Sequence, residues 1–270
     1  MNDFKTISLD AADGVAVLTL NQPATRNSLS KLVFEEMLLA IRRVESQRGI
    51  RALVLTGAGH SFCSGGDLDR MMNEGNQELS VGCRVGQLLT NYANPVIESL
   101  QTLSLPVVAA VNGATAGAGV GLALAADIVV AARSAYFLVN FLPRLGLIPD
   151  LGGSWFLPHS LGRAKAIGLM LLGDRIEADQ AEKWGMIWSS VADDVLMVTA
   201  MELARRLANL PSHAALEARR AVAHAAGGDL INQLRYEVER QQLLLDQPSF
   251  AEGVRAFFEK REPRFRVQAS

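Results

Sequence analysis

Two stretches of bare backbone could do chemistry before any reactive side chain is considered. In "SFCSGGDL", residues 61–68, Gly65 and Gly66 follow an apolar run and precede a helical pattern. In "VNGATAGAGVGLALAADIVVAA", Val111 to Ala132, Gly117, Ala118 and Gly119 stand in the same relation to the run before them. Glycine lets a ligand approach the main chain, and a helix start presents unpaired N–H groups carrying partial positive charge. Two such turns side by side would hold a developing oxyanion or a phosphate. The plain alternative is a pair of tight strand-to-helix turns, and for either turn alone that is the stronger reading.

Among side chains, Asp150 stands apart. "LGLIPDLGGSWFLP" sets it after an apolar run and before a Gly-Gly turn into a helix. A carboxyl in apolar surroundings has a raised pKa, which suits proton transfer, while a helix cap is the competing role. By position alone the two readings balance.

Rival chemistries fail on spacing. A dinucleotide fingerprint starting at Gly117 needs a sixth-position glycine, where Leu122 stands, and Asp127 comes too early for the ribose acid. No Gly-Lys-Ser/Thr ending makes a P-loop, and no G-x-S-x-G elbow surrounds Ser61 or Ser64. His60, His159, His213 and His224 share no motif. Cys63 reads as a small buried filler rather than a nucleophile. Asp67 and Asp69 could bind metal, but Asp67 is better placed as a helix N-terminal partner, so no metal site is expected.

The elements that must position these groups alternate. "GVAVLTL" (14–20) reads as a strand, and Ser30 as the N-cap of a helix carrying Val33, Met37, Ala40, Ile41 and Val44. Gly49 ends that helix. "RALVLTG" (51–57) is a second buried strand, followed by the first glycine turn and a helix near Asp67. A polar stretch from Met71 to about Val81 reads as loosely ordered. A helix from about Leu88 to Leu103 leads into a third strand, "LPVVAAVNG", and "DIVVAA" and "YFLV" continue the series. Such alternation means an α/β fold with crossover connections. After about Val195 four helical patterns follow without a strand, and they must pack on the core or on another subunit. The expected division is a core over 1–195 and a helical region over 196–270.

Bulk properties narrow the partners. The 270 residues are 49% hydrophobic and 20% charged, with a net charge of −2. No basic field exists for nucleic acid or an anionic membrane. Cys63 and Cys83 have no paired spacing, no run is long enough to span a bilayer, and the opening "MNDFKTISLD" is unlike a secretory signal. A cytoplasmic protein is expected.

Three ordered motifs carry a resemblance over nearly the whole chain. "LVLTGAGHSFCSGGDL", "PVVAAVNGATAGAGVGLALAADIVVAA" and "LGLIPDLGGSWFLPHSLGRAKAIGLMLLGDRIEADQAEKWGMI" resemble the crotonase, or enoyl-CoA hydratase/isomerase, superfamily. The resemblance implies a crotonase-like spiral of β-β-α units with a C-terminal helical trimerisation region, assembled as a homotrimer or a dimer of trimers. It implies an acyl-CoA thioester substrate whose carbonyl is gripped by the amides of Gly66 and Ala118. No separate cofactor is implied, because coenzyme A enters as part of the substrate. Ala24 and Arg26, with Asn27 beside them, resemble the segment that lies along CoA. Ser64, Gly65, Asp67, Leu68, Gly117 and Leu142 fall among the substrate-binding positions. Phe257 and Lys260 match C-terminal positions that meet CoA, often from a neighbouring subunit. The two glutamates of hydratases are replaced, by Gly121 and Leu142. Asp150 falls where some isomerases of the superfamily place their acid, and the run Leu145–Ile187 most resembles the ring-1,2-epoxyphenylacetyl-CoA isomerases of aerobic phenylacetate degradation. A single-acid isomerase is the expectation; a 2-enoyl-CoA hydratase and a non-catalytic CoA-thioester-binding subunit are the alternatives.

Overall fold

Over residues 52–138 successive strands go alternately to two different sheets. In the computed structural model, which describes residues 4–265, the larger sheet takes β1 (Ile7–Ala12), β2 (Val15–Leu20), β3 (Ala52–Gly57), β5 (Val107–Val111), β7 (Ile128–Ala132) and β10 (Ser189–Val191), in that order. The smaller sheet takes β4 (Ser61–Cys63), β6 (Ala114–Ala116), β8 (Tyr136–Leu138) and β9 (Arg175–Glu177). β3, β5 and β7 thus each hand over to a short strand, and each of those to a helix, which is the expected spiral of β-β-α units. β1 runs antiparallel to β2, and β2, β3, β5, β7 and β10 are mutually parallel.

Every residue of β3 and of β5 is buried. A parallel sheet covered on both faces demands continuous apolar strands, which is why "ALVLTG" and "VVAAV" do not alternate. α1 (Lys31–Ser46) covers part of this sheet, with Val33, Met37, Ala40, Ile41 and Val44 buried at helical spacing. The Ser30 side chain accepts the Val33 N–H at 3.4 Å as its N-cap.

The segment after the first glycine turn differs from its expectation. α2 (Leu68–Asn73) extends into it, and α3 (Val81–Leu88) begins well before Leu88. A π-turn over Leu89–Ala93 joins α3 to α4 (Asn94–Thr102), with Pro95 in its first turn. The stretch between α2 and α3 is tied rather than loose: Arg84 donates to the carbonyls of Leu79 at 2.7 Å and Met72 at 2.9 Å. A polar composition concealed this, because the anchoring group lies outside the stretch it holds.

α5 (Ala118–Leu124), α6 (Phe141–Leu145), α7 (Gly153–Leu172) and α8 (Ala178–Lys183) complete the core. Beyond residue 195 come α9 (Leu196–Ala208), α10 (Ser212–Gly227), α11 (Leu230–Leu245) and α12 (Pro248–Phe258). The outer parts of the two expected regions, 1–3 and 266–270, lie outside the described residues. α9 buries Leu196, Ala200, Ala204 and Ala208 against the larger sheet. α10 and α11 bury no residue completely. Arg219 of α10 nevertheless ties to the core, with Nε 3.1 Å from Asp127 Oδ1 and Nη2 donating to Leu103 and Leu105. Among the described residues no helix is long and apolar enough to cross a membrane.

Candidate active site

Asn27 organises the first wall of the site. Its Oδ1 accepts the Gln22 N–H at 2.9 Å, while its Nδ2 donates to the carbonyls of Ala58 and Ser61 at 3.0 and 2.8 Å. The side chain therefore pins the loop after β2 against the β3–β4 connection. Along this seam the Ser64 N–H donates to Arg26 at 2.9 Å and the Ser64 hydroxyl to Thr25 at 3.2 Å. Ala24, Arg26, Ser64, Gly65, Asp67 and Leu68 are thus gathered along one edge. Asp67 caps α2, accepting the Arg70 N–H at 3.2 Å, and also meets Ser28 Oγ at 3.4 Å.

The second glycine turn docks directly on the first. A methyl group on Gly65 would lie 2.7 Å from the Ala116 carbonyl oxygen and 3.2 Å from the Ala118 nitrogen. Gly117, at φ 52° and ψ −128°, holds a conformation open to glycine alone, and it turns the chain from β6 into α5.

Peptide planarity fixes where the two N–H groups aim. The Gly65 carbonyl accepts the Leu29 N–H at 2.8 Å, so the Gly66 N–H across the same trans peptide points away from Leu29. The Gly117 carbonyl accepts the Val120 N–H at 3.0 Å, so the Ala118 N–H points out from the start of α5. Neither N–H has a hydrogen-bond acceptor among the described residues. Each N–H can therefore serve an outside acceptor.

Asp150 sits in a tight turn beside α5. The Gly153 N–H donates to its carbonyl at 2.8 Å, across Leu151 and Gly152, whose φ values of 46° and 78° make the turn left-handed. The carboxyl does not cap α7, whose N-cap is Gly152. Its Oδ1 is buried without a hydrogen-bond partner. Burial pushes the carboxyl up to about 6, near the range in which a proton is both taken and returned. Of the two readings left open by position, the geometry removes the cap.

Burial also disposes of the nearby thiol. Cys63 is fully enclosed and its thiol is pushed up to about 12, so it carries no thiolate at neutral pH. Among the described residues no group of three or more His, Cys, Asp or Glu could hold a metal ion.

Other expected residues are placed less directly. Leu142 is exposed on α6, whose Phe141 ring would contact a methyl on Gly117 at 3.7 Å. Phe257 and Lys260 stand at the end of α12. Phe257 borders an apolar groove with Ala214, Leu244, Val254 and Phe258, a groove that includes neither glycine turn. Two contributors have weak signals in the sequence. Met71 brings its methyl to 2.5 Å from where a Gly66 side chain would start, and it lines a cavity of about 320 Å³ together with Leu29, Arg84, Leu88 and Tyr92. Phe141 wedges the second turn. Both are ordinary apolar residues until the loops are folded together.

The enoyl-CoA hydratase/isomerase family model matches residues 10–268. The 1,2-epoxyphenylacetyl-CoA isomerase of Escherichia coli (strain K12) is 44% identical over 93% of this chain and 95% of its own. A protein of Rhodobacter capsulatus named a probable enoyl-CoA hydratase is 40% identical over 97% and 98%. The structure of an enoyl-CoA hydratase from Polaromonas sp. JS666 superposes with a TM-score of 0.89 at 33% identity, covering 95% of this chain and 98% of that one. Its two sheets, its paired glycine turns and this breadth of similarity make the chain a member of the enoyl-CoA hydratase/isomerase family, the crotonase superfamily.

Proposed function

We propose that this family member is an acyl-CoA isomerase with one acid/base, Asp150, and an oxyanion site formed by the amides of Gly66 and Ala118. The carboxylate removes a proton from C2 of a 3-enoyl thioester, and the C–H electrons move toward the thioester carbonyl. The resulting enolate oxygen accepts hydrogen bonds from both amides, each contributing roughly 3 kcal/mol to the transition state. Asp150 then delivers its proton to C4. The double bond moves from C3–C4 to C2–C3, the carbonyl re-forms, and no atom is gained or lost. With a ring epoxide of an arylacetyl thioester, the same groups would steer ring opening and expansion.

The observation that carries this reading is a lone part-buried carboxyl, raised to about 6 and unpartnered at Oδ1, beside the helix that supplies one amide. A positioned acid/base contributes on the order of 10²–10⁴ in rate. Asp150→Asn should remove that factor from 3-enoyl-CoA conversion while CoA-thioester binding persists. Unchanged turnover in the variant would eliminate Asp150 as the base.

Hydration is the second reading, favoured by the name of the 40% identical Rhodobacter relative. Product masses from heavy-oxygen water separate the two, since rearrangement takes up no oxygen.

A further inference from the structure

α5 is only seven residues long and is pinched between two segments of backbone. A methyl on Gly119 would lie 2.6 Å from the Cys63 carbonyl oxygen, on the β4 side. One on Gly121 would collide with the Leu151 carbonyl oxygen and lie 3.1 Å from that of Asp150. Residues two apart on a helix point to nearly opposite sides, so the two glycines thin the helix on both faces.

The Asp150 side of this sandwich is firmly held. Leu151 has φ 46°, a backbone that a leucine adopts only when its surroundings impose it. Its side chain is buried in the core at 2% exposure, which anchors the turn from within. Its carbonyl is pressed flat on α5 where Gly121 has no side chain. Ala118 lies three residues earlier on the same helical face, about 4.5 Å along the axis.

We infer that Gly121 is the positioning residue for Asp150: its missing side chain seats the Leu151 carbonyl on α5 and so fixes the carboxyl one helical turn from the Ala118 amide. The inference rests on the reading of Asp150 as acid/base. It also gives a physical reason why this position carries no larger residue here. Any β-carbon would lift the turn, move the carboxyl and admit water around it.

The test is Gly121→Ala, measured with a 3-enoyl-CoA beside wild type, Asp150→Asn and the control Gly168→Ala. Gly168 lies on α7 with nothing within 4 Å of an added methyl. Gly121→Ala should lower kcat on the order of a hundredfold, as a misplacement near 1 Å does, with KM changed less than about threefold. The acid limb of its kcat profile should also move below that of wild type, because a lifted turn rehydrates the carboxyl. A kcat within threefold of wild type and an unmoved limb would overturn the inference. Should Gly121→Ala fail to fold, adding Leu151→Gly lets the turn re-route around the methyl, and Leu151→Gly alone measures what loss of the buried anchor does by itself. The double variant should then show kcat at least tenfold below that of Leu151→Gly, with its acid limb lower still. Equal kinetics in the two, or a double variant that fails to fold where Leu151→Gly folds, would show that Gly121 serves folding alone and would overturn the inference. Asp150→Asn keeps the two proposals apart: if it retains activity the acid/base reading falls, and if it is inactive while Gly121→Ala matches wild type only the positioning role falls.

Discussion

Gly65 and Ala118 follow different strands of the smaller sheet, yet a methyl on Gly65 would lie 3.2 Å from the Ala118 nitrogen and 2.7 Å from the Ala116 oxygen. This contact makes two ordinary turns into one site. Gly65→Ala therefore forces the turns apart, in a residue whose φ of 91° already disfavours a side chain. Loss of one aligned donor typically lowers kcat by about 10²–10³. A matching fall in kcat, with KM for the thioester little changed, is expected in steady-state assays of the folded variant.

The raised pKa of Asp150 has consequences of opposite sign for activity and stability. As a base the carboxyl must be ionised, so kcat should rise with pH through about 6 and level off above it. In the unfolded chain the same group titrates near the ordinary aspartate value of about 3.9. Between those two values the folded state binds the extra proton, so stability falls as pH rises through the window and the loss is complete above it. A shift of about two units corresponds to roughly 3 kcal/mol. Asp150→Asn should accordingly unfold at a higher temperature than wild type at pH 7.5, and the difference should vanish near pH 4. Scanning calorimetry at the two pH values checks this, and equal melting temperatures at pH 7.5 would contradict it.

Asn27 offers a test of the edge proposed to lie along CoA. Its amide satisfies three backbone groups and is 2% exposed, so Asn27→Ala takes that partner from the part-buried Gln22 N–H and Ala58 carbonyl and leaves the Ser61 carbonyl with Asn112 Nδ2 at 3.4 Å. A destabilisation of about 2–4 kcal/mol is expected by urea unfolding. Because the same amide pins Arg26 beside Ser64, KM for acyl-CoA should rise more than kcat falls. Asn27→Asp keeps Oδ1 but turns a second oxygen onto the Ala58 and Ser61 carbonyls, and should be destabilised at least as much as Asn27→Ala.

Much of this arrangement was legible in the residues because its determinants are local. Ser30 caps α1, Asp67 caps α2, and the fully apolar β3 and β5 declare a sheet covered on both faces. What escaped was set by distant partners. The three-residue strands β4, β6, β9 and β10 are too short for a period to show, and they exist because a neighbour pairs with them. The stretch after Met71 looked loose because Arg84, which holds it, lies beyond it in α3. β1 was hidden by its outer half, which is exposed and polar or small. Asp150 could be singled out, but not its choice between cap and acid, which depends on the left-handed Leu151–Gly152 turn. The packing of that turn on Gly121 has no sequence signature at all.

The last prediction concerns residues that one chain leaves apart. Phe257 is 78% exposed at the end of α12, Lys260 follows it, and α11 exposes Leu230, Ile231 and Val238. Apolar surface of this extent on a helical region is characteristic of subunit contact, and the assembly we propose for it is a trimer or a dimer of trimers. Light scattering should return a mass three or six times that of the chain. If Lys260 meets CoA phosphate in a neighbour's site, Lys260→Ala raises KM several-fold with kcat unchanged, and the effect shrinks at high salt as the charges are screened. Mixed assemblies then decide whose site it serves. In hybrids of Asp150→Asn and Lys260→Ala subunits, a site built across the interface can combine an intact Asp150 from one chain with an intact Lys260 from the other. Its KM should return to the wild-type value. A lysine serving its own chain would leave KM raised at every working site, and unfolding and refolding the mixture would change nothing.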